Sequence, residues 1–459
     1  MVRGANLSLH GEGPFTKMQE KEGSNMNARG SRLVIIVGLG WAALSLGLPA
    51  AHAEPALAPT DEVTLDSLIH TALARSPGLQ AKKRAYEAAR GRVIAAWLPN
   101  DPMIGADVKG QSTLFDFGSR TDREYTVSQT IPFPTALILR GQVAARESRM
   151  AYQQYKEAER DTIWHIEQPY YELYMNKKTI VALEEVETLL EKLARAVQSR
   201  YETNQASQSD VLKVHIELAK ARVDLFNARQ QEHVAEAHIS HLLDRSLDTR
   251  YAIPDDLTVT PLAMSRPALE RVALKAKPEL LAIETGISRA KANRLLAFTN
   301  WLPDITGRIE ARQFHGEDSI REKDTFIGVT VPVWSLLKGA GGQWQSAQRE
   351  VQQAEAQYVE MKNEVLLSVH EAYAAAASAQ NGLLQYEQVV LPDARQQVEV
   401  ALSAYEAGRT DFLNLIDAQR MLKDAQIAYY KLKSDSERAL SNLRLAIGSA
   451  LPTSNGRMP

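Results

Sequence analysis

The sequence of 459 residues contains no cysteine, which excludes a disulfide scaffold, a cysteine-ligated zinc or iron–sulfur centre and a thiol enzyme. It also lacks a surplus of positive charge. With 53 Lys and Arg against 56 Asp and Glu, the chain has no clustered cationic footprint for phosphates, and no nucleic-acid partner is expected. Aromatic residues are few for the length, at 15 Tyr, 6 Trp and 9 Phe. Ala, Gln, Glu, Lys, Arg and Leu are abundant instead, the composition of long helices and coiled coils. No Ser-His-Asp constellation, P-loop or HExxH is present, so neither catalysis nor a cofactor is expected. His233, His238 and His241 are the one histidine cluster, but only His238 and His241 share a helix face and no carboxylate stands at a matching spacing. Solvated helix surface, not a metal site, is the expected fate of these three.

Long apolar runs are scarce as well, residues 33–50 (LVIIVGLGWAALSLGLPA) being the only one. Arg29 and Arg32 precede it, and Ala51-His52-Ala53 follows before Glu54. A basic flank, an apolar stretch and a small-x-small site predict a secretory signal peptide over residues 1–53, in preference to a transmembrane anchor, for which the run is marginally long enough. Residues 1–25 are polar and Gly-rich, so the expected translation start is Met26. Gly38-Leu39-Gly40-Trp41-Ala42-Ala43 mimics a dinucleotide-binding fingerprint, but that motif has meaning only within a strand–turn–helix unit, and here it runs into Pro49.

The chain is written twice. Trp97-Leu98-Pro99 recurs as Trp301-Leu302-Pro303, and Tyr201-Glu202 as Tyr405-Glu406. Between these anchors Thr130-Ile131-Pro132 recurs as Thr330-Val331-Pro332, and upstream the Leu65–Pro77 segment matches Leu269–Pro278. Such repetition predicts two copies of one unit, each running helix, strand, strand, long helix, turn, long helix. The first repeat is expected over 54–245 and the second over 267–450, joined by a linker at 246–266 and followed by a disordered tail at 451–459.

The helices carry a strict heptad. Trp344, Ala347, Val351, Ala354, Tyr358, Met361 and Val365 step by three and four, as do Leu415, Ala418, Leu422, Ala425, Tyr429, Leu432, Ser436, Ala439 and Leu443. Val211, Val214, Leu218, Ala221, Leu225 and Ala228 repeat the pattern in the first half. A sustained period of 3.5 specifies supercoiled helices, and the many alanines predict a thin, wall-like seam. A helix from Pro134 to Tyr201 would reach roughly 100 Å, with a local kink at Pro169.

Between the helices the period falls to two. Ile104, Ala106 and Val108 alternate with Gly105, Asp107 and Lys109; Tyr125, Val127 and Ile131 with Thr126, Ser128 and Thr130. In the second repeat Ile305, Gly307, Ile309 and Ala311 alternate with Thr306, Arg308, Glu310 and Arg312, and Ile327, Val329, Val331 and Val333 with Phe326, Gly328 and Thr330. Strands are expected at about 101–111, 123–132, 304–314 and 325–333, the length of staves crossing an outer membrane. The alternation also fits a soluble hairpin packed on a helix, while Arg308, Glu310 and Arg312 on one face favour a watery lumen. Four strands cannot close around a pore, and an open edge cannot be left in lipid, so several chains are expected to pool their strands.

Signal segment, tandem repeats, paired strands and heptad helices ending in Tyr-x-x-Gly turns together resemble the TolC family of outer-membrane efflux proteins, over nearly all of the chain beyond the signal. Tyr405-Glu406-Ala407-Gly408-Arg409-Thr410-Asp411-Phe412-Leu413-Asn414-Leu415-Ile416-Asp417-Ala418 is the most specific segment, similar to the family's second periplasmic tip. The resemblance implies a mainly α fold with a small β part. Long coiled-coil helices would form a periplasmic α-helical tunnel, and four membrane strands per protomer would make a 12-stranded β-barrel in a homotrimer. It further implies residence in the outer membrane and docking onto a periplasmic adaptor and an inner-membrane pump. Ser128–Pro134, Gly408–Leu413 and Asp417-Ala418-Gln419-Arg420 resemble the branch serving heavy-metal pumps of the resistance–nodulation–division (RND) type; multidrug efflux and type I protein secretion remain alternatives. Many members carry a lipidated cysteine, and without one the barrel is the expected anchor. Carried over residue by residue, the resemblance implies adaptor-docking tips at Tyr201–Ala206 and Tyr405–Thr410, with Tyr201, Asn204, Tyr405, Gly408 and Arg409 as working residues. Asn204 stands where the family usually has Gly. The implied channel gate comprises Asp417 with Asp411 and Asn414, the last replacing an acidic residue of the family's ring.

Overall fold

Proline sets where each repeat turns its first corner. The computed structural model describes residues 63–109, 122–299, 301–331, 333 and 342–450; the expected signal peptide, the Met26 start, the glycine decoy and the C-terminal tail lie outside these residues. The first repeat comprises α1 (Leu65–Arg75), α2 (Pro77–Ala96), β1 (Met103–Lys109), β2 (Asp122–Ile131), α3 (Pro134–Glu202) and α4 (Gln208–Leu242). The second comprises α5 (Arg266–Ala276), α6 (Pro278–Thr299), β3 (Asp304–Gln313), β4 (Glu322–Thr330), α7 (Gln343–Gln385), α8 (Leu391–Glu406) and α9 (Phe412–Ile447). Pro77 and Pro278 open α2 and α6 and push the residue before them, Ser76 or Lys277, out of helical geometry. In both repeats a short helix therefore folds back as a corner piece.

Corner and long helices share a small core, built alike in each repeat. Leu68 and Ala72 of α1 pack on Ile166, Tyr170 and Leu173 of α3 and on Ala235 and Ile239 of α4. Leu269 and Ala273 of α5 pack on Val365, Val369 and Ala376 of α7 and on Leu440, Leu443 and Ile447 of α9. Along the helices burial follows much of the heptad: Ala347, Val351 and Val365 are buried on α7, and Val214, Ala221, Leu225 and Ala228 on α4, while Trp344 at the head of the α7 seam is exposed.

Helix α3 runs unbroken for 69 residues with Pro169 inside it. Its counterpart is interrupted. Between α7 and α8 lies a π turn, Tyr386–Val390, in which the Leu391 amide reaches back five residues to the Tyr386 carbonyl. The buried seam proceeds from Val369 to Ala376 and Leu383 and resumes at Leu391, Ala394, Ala401 and Tyr405. One extra residue has entered the seam between Leu383 and Leu391, and the wider turn absorbs it.

The four strands form one antiparallel sheet in the order β1-β2-β3-β4. Directly paired residues share a face. On one face Ile104, Val127 and Ile309 lie side by side, as do Ile131, Ile305 and Val329, and all six are exposed. The other face is a charge lattice. Glu124 pairs with Lys109 and lies 3.6 Å from Arg312, which also meets Glu310 at 3.3 Å and Asp324 at 3.5 Å; Arg308 meets Glu310 at 2.8 Å. Strand β4 opens at Glu322, three residues before the alternation indicates, because Glu322, Lys323 and Asp324 pair with Arg312, Ala311 and Glu310. No helix among the described residues is long and apolar enough to cross a membrane. The exposed apolar face of the sheet has the character of a lipid-facing surface. Among the described residues, edges β1 and β4 have no strand partner.

Candidate functional site

Two tight turns form the end of the helical part farthest along the chain from the strands. After α3, Asn204 takes a left-handed conformation (φ 55°), and after α8, Gly408 does the same (φ 67°). The Gln205 amide donates to the Arg200 carbonyl (2.7 Å) and the Arg409 amide to the Ala404 carbonyl (2.8 Å), a matching pair of six-to-one closures. Asparagine tolerates this geometry better than other side-chain-bearing residues, so the departure from glycine keeps the turn.

The following helices are capped differently. Ser207 and Asp210 exchange side-chain and backbone hydrogen bonds in a capping box at the start of α4. Asp411 caps α9 by accepting from the Asn414 amide (3.2 Å), while the Asn414 side chain donates to the Thr410 hydroxyl (2.6 Å). Two of the three residues assigned to the gate on resemblance are therefore engaged in starting the helix. The third, Asp417, is half exposed and meets Arg420 of its own helix at 3.3 Å. Arg420 also reaches Glu217 of α4 at 2.9 Å, and Lys220 binds the same carboxylate at 3.0 Å. Burial pushes Glu217 up, but these two cations outweigh it and hold its carboxyl below the usual range.

The turns pack against each other through one cluster: Leu193 and Val197 of α3, Val214 of α4, Tyr405 of α8, and Phe412 and Leu415 of α9. The Tyr405 and Phe412 rings meet edge to face at 5.6 Å, and the Arg200 guanidinium sits 4.5 Å from the Tyr405 ring centre. The repeat tyrosines thus have different fates: Tyr405 is buried at 9% exposure and Tyr201 is exposed at 41%. Sequence reasoning missed Arg200, Phe412 and Glu217. The signal for Arg200 was present, since the repeat places Ala404 opposite it. Arg409 stands exposed beside Gly408. His238 and His241 are exposed, His233 lies against Arg250, and no three potential ligands among the described residues could hold a metal ion.

Comparison with known proteins bears on this geometry. The cobalt-zinc-cadmium resistance protein CzcC of Cupriavidus metallidurans is 22% identical over 433 residues, covering 91% of this chain and 99% of that protein. Among solved structures, the outer membrane protein VceC of Vibrio cholerae superposes with a TM-score of 0.73 at 17% identity, covering 84% of this chain and 96% of that one. CusC gives 0.71 at 16% identity, with 85% and 93% covered. The outer-membrane channel OprN gives 0.71 at 16%, with 84% and 89% covered. All three share the fold of helices continued by strands described above. The family model for outer membrane efflux proteins matches residues 68–244 and 269–449, one match per repeat, and the chain belongs to that family: an outer-membrane channel protein, not an enzyme.

Proposed function

We propose that this channel is the outer-membrane exit of a tripartite efflux system whose cargo is divalent metal cations. The observation that carries the cargo is the strand register. The polar face of the sheet presents seven carboxylates (Asp107, Asp122, Glu124, Asp304, Glu310, Glu322 and Asp324) against three cations (Lys109, Arg308 and Arg312). A lumen so lined favours cations over anions. Likeness to a cobalt-zinc-cadmium resistance protein agrees with that sign of charge.

Three features support assembly as a homotrimer. Among the described residues the sheet has two open edges, which lipid does not tolerate. The apolar face of one chain is too narrow to enclose a pore. On α4 a second apolar stripe, Leu212, Ile216, Val223 and Phe226, is exposed at heptad spacing with no partner among the described residues. In this assembly the turns at Tyr201–Ala206 and Tyr405–Thr410 point into the periplasm and meet the adaptor, with Tyr201, Asn204, Gly408 and Arg409 on the surface and Tyr405 bracing it from within. An RND pump beyond the adaptor supplies the cargo.

Planar-bilayer recording under a potassium chloride gradient tests the channel. A cation-selective reversal potential is expected, with block by external divalent ions that weakens when Asp417→Ala removes the half-exposed carboxylate of α9. Anion selectivity would reject the cation reading, and unchanged block would remove Asp417 from the gate. For the cargo, disruption in the native host is expected to raise cell-associated zinc, cobalt and cadmium while a neutral dye is unaffected; unaltered metal content would reject the assignment.

A further inference from the structure

Residues 246–265 run between the repeats as a strap across the helices, and two buried glutamates hold it. Each sits in the same local pattern, Glu236-Ala-His-Ile-Ser240 on α4 and Glu437-Arg-Ala-Leu-Ser441 on α9. Glu236, 3% exposed, accepts the Tyr251 amide at 3.2 Å. Glu437, 2% exposed, accepts the Thr260 amide. Gln380 of α7 completes the hold by donating to the Thr260 carbonyl (2.7 Å) and accepting from the Leu262 amide (3.1 Å).

The two carboxylates differ in charge compensation. Arg250, on the strap itself, stands 2.7 Å from Glu236. Glu437 has no ion-pair partner among the described residues; its other contacts are the hydroxyls of Tyr171 on α3 and Thr260 on the strap, both at 3.5 Å. The charged groups around it are Glu167 on α3 and Arg444 on α9, and these engage each other at 3.3 Å. Lys433, one turn before it, is taken by Asp256 of the strap. An ionised carboxylate buried without a cation is costly to hold.

We propose that Glu437 is a proton-binding clamp, which takes up a proton as the surrounding medium acidifies and thereby tightens the strap on α9. Protonation removes the buried charge and leaves a carbonyl oxygen that still accepts the Thr260 amide. Burial pushes the Glu437 carboxyl above the ordinary glutamate range, and the Thr260 amide and the Arg444 charge offset this only in part. The sign follows from linkage. A carboxyl raised in the folded state contributes stability that is complete below its unfolded pKa and is lost as pH rises through the folded value. The strap is therefore tightest in acid and loosens towards neutrality, opposite to a carboxylate held by a salt bridge. The clamp does not depend on what the channel carries.

Hydrogen exchange of the assembled full-length channel tests this, read on peptides containing the Thr260 and Tyr251 amides. After correction for intrinsic rates, Thr260 protection is expected to fall by up to about tenfold per pH unit across the titration of one group. In Glu437→Gln that slope should vanish at Thr260 while the Tyr251 amide keeps its wild-type profile. An unchanged Thr260 slope in the variant overturns the proposal. The direct signature is a protonated-carboxylic-acid infrared band in the wild-type-minus-Glu437→Gln difference spectrum that grows on acidification; a difference spectrum without it would equally overturn the proposal. Should Glu437→Gln not assemble, Tyr171→Phe removes a donor to the same carboxylate and is expected to move the midpoint to higher pH; an unmoved midpoint sinks the idea.

Discussion

Gly448→Ala is expected to destabilise the helical part by about 2–5 kcal/mol, far more than the same change at Gly408. Both glycines end or follow a helix in a left-handed conformation, with φ of 69° and 67°, and a side chain there costs about 1–2 kcal/mol. Their surroundings separate them. A Cβ on Gly408 would meet nothing within 4 Å, whereas one on Gly448 would stand 2.7 Å from Lys277 Cα, 2.9 Å from Pro278 Cδ and 3.2 Å from the Ala276 carbonyl oxygen. These atoms are the proline corner between α5 and α6, backbone and ring that cannot rotate away, so overpacking adds about 1–3 kcal/mol. Lys277 also donates to the Leu445 carbonyl at 3.0 Å, binding the corner to the end of α9. Thermal melts followed by helical circular dichroism in detergent would check the pair. Equal losses at the two positions would show that the corner yields.

Two neighbouring residues should respond oppositely to the same charge. Val127 lies between Ile104 and Ile309 on the apolar face, and a lysine there would face hydrocarbon at a cost of about 2–4 kcal/mol per protomer near the bilayer midplane. Thr126, one residue earlier, lies between Gly105 and Glu310 on the polar face. A lysine at 126 would gain a carboxylate neighbour and should be tolerated. Refolding into lipid vesicles, read as the fraction of heat-modifiable folded protein, is expected to collapse for Val127→Lys and stay near wild type for Thr126→Lys. The reverse order would invert the assignment of faces.

Much of this architecture was legible because it rests on periodicity, which a sequence states directly. Apart from the exposed Trp344, the seam residues of α4, α7 and α9 lie buried or half-buried where three-and-four spacing put them, whereas Pro77 and Pro278 split the single first helix expected of each repeat in two. What stayed hidden depended on tertiary partners. Glu322, Lys323 and Asp324 read as loop because they are charged, yet cross-strand pairing with β3 makes them strand. Tyr201 and Tyr405 look equivalent in the repeat, and only the contact with Arg200 and Phe412 tells them apart. Asp411 and Asn414 looked like gate residues on resemblance; local hydrogen bonding also employs them as a helix start. The strap carries no period at all, so its anchorage by Glu236 and Glu437 could be seen only once the helices were in place.

The π turn at Tyr386–Val390 bears on how such a chain can change length. In an α-helix one added residue rotates everything beyond it by about 100°, which would swing Ala394, Ala401 and Tyr405 off α9. Here the added residue is already present and the stripe still faces its partner. The turn is therefore a natural splice point. A single deletion within it would give back the seven-residue step from Leu383, so the second arm can lose one residue's length at this place while every seam contact above and below is kept. Nowhere in the unbroken α3 is that freedom available, and the two arms of one protomer are thereby unequal in how readily evolution can adjust their reach.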